Sequence, residues 1–316
     1  MLLKRDLYFD SMKCVLIMFV IIGHTLESFG SIETNRLALT TYFSIYTFHM
    51  PLFVFISGYF TSNNRLKTFE SIIRILLIFV VFQFIRLLLS GEWSFANIIT
   101  PQWTLWYLLS LLFWKFGVLL LPSQLSKGKT VFVIFSSFLL SFFANFIPLE
   151  LELSFQRTFN FFPFFLLGYY AKNTGLVRYI RKLNHYIPIF IVITVCCVIF
   201  IGNKPLYPLL MFQSRSWIGC GLFEQLSWKV FFMAICVLMS VSIMNLIPSF
   251  HIRLAYYGRF TLRFYLLHTF LIDFLKVINL PVGYIYSLIY ALFIILILLL
   301  ITKIKTFDNF LRRVQL

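Results

Sequence analysis

Apolar segments of about 18 or more residues recur along the whole chain, and a segment of that length crosses a bilayer as one helix. This recurrence constrains the fold more than any other feature. No polar stretch between the apolar segments is long enough to fold alone as a soluble domain. The sequence therefore predicts an all-α, polytopic integral membrane protein with a single membrane-embedded domain over residues 1–316.

The composition excludes an ordinary soluble protein. Of the 316 residues 60% are hydrophobic and 12% are charged, whereas a soluble domain carries about 25% charged residues. The first apolar run is too long for a cleavable signal peptide and lacks a small-residue cleavage site. The cysteines follow neither a metal-binding spacing nor a disulfide framework, so no metal is expected; they are Cys14, Cys196, Cys197, Cys220 and Cys236.

Hydropathy predicts about ten transmembrane helices. Their expected ranges are 12–30, 40–61, 70–90, 101–121, 130–148, 158–172, 186–202, 225–247, 259–278 and 281–302.

Lysine and arginine alternate between the two sides that these helices define. One side holds few basic residues, namely Arg36, Arg157, Lys204, Arg215, Lys229 and Lys276. The other side holds the rest, Arg263 among them, apart from Arg86 and Lys115 inside helices. The positive-inside rule then places both termini in the cytoplasm. The net charge of +16 is therefore explained mostly by topology, and no nucleic-acid partner is expected.

The first helix carries charge where charge is costly. In the segment RDLYFDSMKCVLIMFVIIGHTLESFG, His24 follows Lys13 by eleven residues, or ~16 Å along a helix. That depth is about half of the hydrocarbon layer, where an ionisable residue indicates a functional site. Glu27 shares a helix face with His24 and can orient it as a general base. The alternative is that Glu27 reaches interfacial water and His24 only bonds a neighbouring helix.

Two further histidines are expected at similar depth. His49 lies ~18 Å from the cytoplasmic end of the second predicted helix, and His268 lies ~14 Å deep in the ninth, with Tyr265 on the same face. Three histidines at one level predict a polar chamber, although each can also serve as a packing hydrogen bond.

Basic and aromatic residues mark the two ends of the predicted bundle. Arg65, Lys67 and Arg74 form a cytoplasmic rim that either anchors the chain or binds phosphate. On the outer side, Trp106 belongs to an aromatic belt or to a wall for a sugar ring. Arg157, also on that side, either contacts a substrate or pairs with Glu150 or Glu152.

Several separated blocks together resemble the integral-membrane acyltransferase 3 family. The opening with Arg5, Asp10, Lys13 and the Gly23–His24 pair is similar to that of the family. So are four further blocks in the same order: HMPLFVFISGY at 49–59, TLWYLLSLLFW at 104–114, RTFNFFPFFLLGY at 157–169 and YGRFTLRFYLLH at 257–268. Two departures are Cys14, where the family often has glycine, and Ser71, where many members have the first arginine of a pair completed by Arg74.

The resemblance implies transfer of an acyl group, usually acetyl, from cytoplasmic acyl-CoA to a sugar hydroxyl of a cell-surface glycan or its lipid-linked precursor. It ties Lys13 and His24 to donor use and catalysis, and Arg157 matches the family's arginine before its Pro-Phe-Phe block. The expected location is the plasma or inner membrane, with several passes.

These observations combine into a hypothesis for the reaction. Lys13, Arg74 and Arg5 bind the phosphates of acetyl-CoA. His24, oriented by Glu27, takes the proton of the acceptor hydroxyl or carries the acyl group briefly. Arg157 and the outer aromatic residues position the acceptor or stabilise the oxyanion.

Two other classes of protein remain open. Membrane-embedded His and Glu also serve proton relays, so a glycan-lipid flippase or a proton-coupled carrier is the main alternative. A purely structural or regulatory membrane protein is the third. Dependence on acyl-CoA separates the first class from both.

Overall fold

The computed structural model describes residues 6–144, 147, 152–172, 174–202, 221–247 and 252–302, which form helices and no strand. The first helices are α1 (Leu7–Phe29), α2 (Arg36–Tyr46), α3 (His49–Phe60), α4 (Arg65–Ser90), α5 (Phe95–Ile99), α6 (Trp106–Leu119) and α7 (Lys127–Phe143). They are followed by α8 (Phe155–Ala171), α9 (Leu176–Arg181), α10 (Tyr186–Ile201), α11 (Leu222–Leu246), α12 (Ile252–Gly258), α13 (Thr261–Val277) and α14 (Tyr284–Ile301). Short 3-10 turns precede α6 (Trp103–Leu105) and α8 (Glu152–Ser154). The all-α class is confirmed.

Five segments of the described chain are long and apolar enough to cross a membrane as helices. They are Leu7–Phe29, Arg36–Phe60, Arg65–Ser90, Phe223–Leu246 and Tyr284–Ile301. Trp103–Leu119 and Tyr186–Ile201 are apolar but shorter. The chain is therefore a helical membrane protein, whereas the count of ten spans and the cytoplasmic position of the termini stay predictions.

The second predicted span, 40–61, is interrupted in the structure. Helix α2 ends at Tyr46 and α3 begins at His49, so the helix is interrupted at Thr47 and Phe48. Pro51 then falls in the first turn of α3, where a proline removes no intrahelical hydrogen bond. Hydropathy missed the break because apolar residues continue through it.

The chain divides into two compact units. The first takes in residues 1–53, 177–205 and 233–312, and the second takes in 54–176, 206–232 and 313–316. The single domain over residues 1–316 stays a prediction. Within the first unit, α1 is the central helix, since it packs against α2, α12, α13 and α14. A charged segment that opens the chain thus becomes the core of this unit.

In the second unit α6 packs against α4 and α8, and α7 packs against α8. Two glycines let α3 and α8 approach each other closely. A Cβ on Gly58 would lie 2.0 Å from the carbonyl oxygen of Phe165, and a Cβ on Gly168 would lie 1.9 Å from that of Phe55. Only glycine fits at both positions, as expected for close helix packing in membranes.

Candidate active site

His24 and Glu27 form the pair that the sequence predicts. Their spacing puts them one turn apart on α1, and His24 Nδ1 lies 2.8 Å from Glu27 Oε2. The His24 side chain is 13% exposed and that of Glu27 is 31% exposed. Because a carboxylate oxygen accepts and does not donate, the Nδ1–H group of His24 is the donor in this pair. The second ring nitrogen, Nε2, then carries the lone pair that a general base or nucleophile needs.

The other two predicted chamber histidines lie in the same unit as His24. The ring of His268, on α13, is 5.5 Å from that of His24 between centroids. Tyr46 connects to His49, since its ring centroid lies 6.4 Å from that of His24 and 4.6 Å from that of His49. We call His24, Glu27, Tyr46, His49 and His268 the histidine cluster. The structure brings together the three histidines that the sequence predicts at similar membrane depth.

His49 and His268 share one hydrogen-bond pattern. Nδ1 of His49 lies 2.8 Å from the carbonyl oxygen of Ile45, and Nδ1 of His268 lies 3.0 Å from that of Phe264. A carbonyl accepts only, so both rings donate from Nδ1 and keep Nε2 unprotonated when neutral. Both side chains are buried. Among the described residues, no group of three or more His, Cys, Asp or Glu side chains is placed to hold a metal ion.

One member of the histidine cluster was not predicted, and one predicted residue lies beside the cluster. The ring of Tyr265 is 6.3 Å from that of His268, as the shared helix face predicted. Tyr46 was overlooked because a tyrosine in an apolar helix resembles ordinary core. Arg263, which charge counting placed on the cytoplasmic side, is only 2% exposed, and its guanidinium lies 4.6 Å from the ring centroid of Phe260.

The residues predicted to bind the donor have ionic partners on their own helices. Lys13 Nζ lies 2.6 Å from Oδ1 of the buried Asp10 on α1. Arg74 lies 3.9 Å from Glu70 on α4, where both side chains are at least one-third exposed. Arg5 lies outside the described residues.

A polar cavity of about 270 Å³ opens in the second unit. Arg65 at the start of α4 lines it, together with the loop residues Ser62, Asn63, Ser123 and Gln124. Among the described residues that line it, none is acidic. Its basic and amide groups suit an anionic ligand, in keeping with the phosphate-binding interpretation of this rim.

Arg157 and Trp106 contact each other in the second unit. The guanidinium carbon of Arg157, on α8, lies 5.3 Å from the ring centroid of Trp106 on α6. Trp106 in turn stacks on Phe161, with centroids 5.4 Å apart and planes 26° apart. We call Arg157, Trp106 and Phe161 the arginine stack. A guanidinium on an aromatic face keeps its donors in a fixed plane, which suits recognition of oxygen-rich groups.

Lys229 was counted among the residues of the outer side but lies buried inside the second unit. Its exposure is 9%. The ammonium donates to Oδ1 of Asn160 on α8 and, at 2.8 Å, to the carbonyl oxygen of Ser141 on α7. The lysine therefore joins α11 to two neighbouring helices, a role that charge counting along the sequence does not detect.

Comparison with known proteins agrees with the motifs. The family model described as an acyltransferase domain, Acyl_transf_3, matches residues 6–304. The nodulation protein NolL of Sinorhizobium fredii is 46% identical over 66 residues, which are 21% of this chain and 18% of NolL. The nodulation protein NolL of Mesorhizobium japonicum is 51% identical over 65 residues, 20% of this chain and 17% of NolL. The chain thus matches less than a fifth of the length of these curated relatives, and no solved structure matches it.

The family match includes both units, from the start of α1 to the end of α14. It confirms the resemblance to the acyltransferase 3 family that the sequence blocks indicate. The chain belongs to the acyltransferase 3 family.

Proposed function

We propose that this protein transfers an acetyl group from cytoplasmic acetyl-CoA to a hydroxyl of a cell-surface glycan or of its lipid-linked precursor. The proposal places the reaction in the plasma or inner membrane. The observation that carries it is the hydrogen bond between His24 and Glu27 inside an apolar helix, in a chain of the acyltransferase 3 family. A carboxylate hydrogen-bonded to an imidazole is an arrangement that general-base catalysis uses.

In the first route His24 acts as a general base. Its Nε2 takes the proton of the acceptor hydroxyl while that oxygen attacks the thioester carbonyl. The bond between carbon and sulfur breaks, the thiolate of CoA takes the proton back from Nε2, and an ester and free CoA remain. Glu27 stabilises the imidazolium that exists between the two proton transfers, because its carboxylate faces Nδ1–H at 2.8 Å.

A second route uses the same nitrogen as a nucleophile. Nε2 attacks the thioester, CoA leaves as thiolate, and the acyl-imidazole then gives its acyl group to the acceptor hydroxyl. CoA collects the proton that the hydroxyl loses. Both routes need Nδ1–H bound to Glu27, so both make the same prediction for variants of the pair.

The remaining assignments concern binding. Lys13 and Arg74 bind phosphate groups of the donor. The cavity beside Arg65, where no described lining residue is acidic, supports an anionic ligand near the start of α4. Arg5 joins them as a proposal from the sequence. His49, His268 and Tyr265 complete the polar surroundings of His24. The two histidines belong to the histidine cluster, and the ring of Tyr265 lies 6.3 Å from that of His268.

Two residues are assigned to the acceptor. Arg157 binds or polarises oxygen atoms of the acceptor, and Trp106 offers the aromatic face that sugar rings pack against. Support comes from the arginine stack, in which Arg157 on α8 lies over Trp106 on α6, which in turn stacks on Phe161.

The test uses purified protein in detergent with acetyl-CoA and a lipid-linked glycan extract from the cells that make the protein. We expect His24→Ala to lose at least about a thousandfold in transfer rate, because it removes the base itself. His185→Ala is the matched control, since His185 hydrogen-bonds Asn245 at 2.7 Å outside the histidine cluster.

Retained transfer in a folded His24→Ala variant would refute the assignment. If the folded wild type neither binds nor uses acetyl-CoA, the acyltransferase proposal fails. Flux of glycan-lipid or protons in liposomes would then test the carrier alternative.

A further inference from the structure

Tyr46 is held in one position next to His24 by contacts on several sides. It is the last residue of α2. Its ring lies against that of Tyr42, with centroids 4.1 Å apart, and edge-on to that of His49 at 4.6 Å. A ring packed between two others has few rotamers available, so its hydroxyl points in a defined direction.

Gly23 permits this position. A Cβ at residue 23 would lie 3.2 Å from Cε2 of Tyr46 and 3.6 Å from a methyl carbon of Ile45. The first of these is tighter than ordinary van der Waals contact. The glycine that precedes His24 therefore lets the end of α2 lie close against α1, directly beside the catalytic candidate.

The hydroxyl of Tyr46 is directed at the carboxylate that orients His24. It donates to Oε2 of Glu27 at 3.5 Å, and the same oxygen accepts Nδ1–H of His24 at 2.8 Å. The contact from His24 is the shorter and stronger of the two. One oxygen thus receives donors from two helices, and the donor on α2 holds Glu27 from outside its own helix.

We propose that Tyr46 is a positioning residue, whose hydroxyl fixes Glu27 in the orientation that receives Nδ1–H of His24. This role rests on the proposed function of His24. Glu27 is 31% exposed on its side chain and has a flexible stem, so a contact from a second helix further restricts the directions that its carboxylate can take. Anchored from α2, the carboxylate keeps His24 in the tautomer with Nε2 free.

The expected effect is on turnover and not on donor binding. Tyr46→Phe keeps the ring and its packing on Gly23 while removing the hydroxyl. We expect kcat to fall about tenfold, because the lost hydrogen bond is to a charged group but is long. KM for acetyl-CoA stays unchanged. Tyr284→Phe is the matched control, since it removes a hydroxyl that lies 3.2 Å from Thr41 of the same helix α2.

A double-mutant cycle tests whether the effect passes through Glu27. In a Glu27→Gln background, Tyr46→Phe should cost nothing further, because the charge that it positions is already gone. Equal losses in both backgrounds would overturn the proposal. So would a Tyr46→Phe variant that unfolds more easily yet keeps full kcat, since its hydroxyl would then be purely structural.

A second readout needs no turnover and separates this proposal from the proposed function. The carboxylate band that Glu27→Gln removes from the infrared spectrum should shift in Tyr46→Phe and stay in place in Tyr284→Phe. A band that does not shift overturns the role of Tyr46 even if transfer is observed. A band that shifts in a protein that does not transfer acetyl leaves the contact established and refutes the proposed reaction.

Discussion

The histidine cluster and the arginine stack are both polar groups inside apolar helices, but their chemistry differs. In the histidine cluster each histidine donates from Nδ1, to a carboxylate or to a backbone carbonyl, and keeps Nε2 able to take a proton. In the arginine stack the cation is permanent and lies 5.3 Å from the ring centroid of Trp106. The first group can move protons, whereas the second can only bind and polarise. We therefore propose that the histidine cluster carries out the chemistry and that the arginine stack recognises the acceptor.

The largest effect is expected on the stability of the second unit when Gly58 is replaced. In Gly58→Ala the new methyl group would lie 2.0 Å from the carbonyl oxygen of Phe165, so α3 and α8 must separate. We expect a loss of about 3 kcal/mol in the free energy of unfolding. Thermal unfolding in detergent measures it.

Gly117→Ala provides the control, because a Cβ there meets Phe162 at an ordinary 3.4 Å. Equal stability of the two variants would contradict the close approach of α3 and α8.

Glu27→Gln sharpens the assignment of chemistry to the first unit. Glutamine retains an oxygen for Nδ1–H of His24 but lacks the charge that stabilises an imidazolium. We expect kcat to fall about a hundredfold, with little change in donor affinity. Steady-state kinetics with acetyl-CoA provide the measurement.

Glu33→Gln, at an exposed glutamate of the same unit, should behave as wild type. If Glu27→Gln matched it, the carboxylate would have no part in the reaction.

Arg157→Lys tests whether the arginine stack only recognises the acceptor. A lysine keeps the charge but loses the planar face on Trp106. We expect the KM for the glycan extract to rise about tenfold, the size of one lost cation–π and hydrogen-bond contact. Acceptor-free hydrolysis of acetyl-CoA should not change.

The control is Arg36→Lys, whose arginine also lies over an aromatic ring, that of Phe200 at 5.6 Å. A loss of hydrolysis in Arg157→Lys would move catalysis into the second unit and break the comparison.

The smallest effect is expected at Lys229. Lys229→Met removes a buried charge, which is favourable, but leaves Asn160 and Ser141 without their donor. We expect a net loss of about 1 kcal/mol in the free energy of unfolding and no change in kcat.

The comparison variant is Lys115→Met, which removes another lysine from an apolar helix of the second unit, α6. A large fall in kcat for Lys229→Met would mean that this buried cation has a role in the reaction.

Much of the helix layout could be predicted from the sequence, because hydropathy depends only on local composition. Each predicted span overlaps a helix in the described part of the chain, and the pairing of His24 with Glu27 follows from helical spacing. The break at Thr47 and Phe48 could not be predicted, since the apolar run continues across it. It matters because it lies between Tyr46 and His49, both members of the histidine cluster.

Contacts between helices account for the other misses. Tyr46 reaches Glu27 because Gly23 lets α2 approach α1, and nothing in the sequence near Tyr46 signals that approach. Charge counting placed Lys229 and Arg263 at the two membrane faces, but both are buried. Counting basic residues treats each of them as a topological signal. It cannot identify a basic residue that is buried between packed helices.

The most direct test is a single-turnover measurement of CoA release at saturating acetyl-CoA and glycan extract, with His24→Ala beside Arg157→Lys. We predict that CoA release is abolished in His24→Ala and proceeds at nearly the wild-type rate in Arg157→Lys. Saturating substrate compensates for weaker binding but not for a missing base. Release at the wild-type rate from His24→Ala, or a loss in Arg157→Lys as deep as in His24→Ala, would contradict the account.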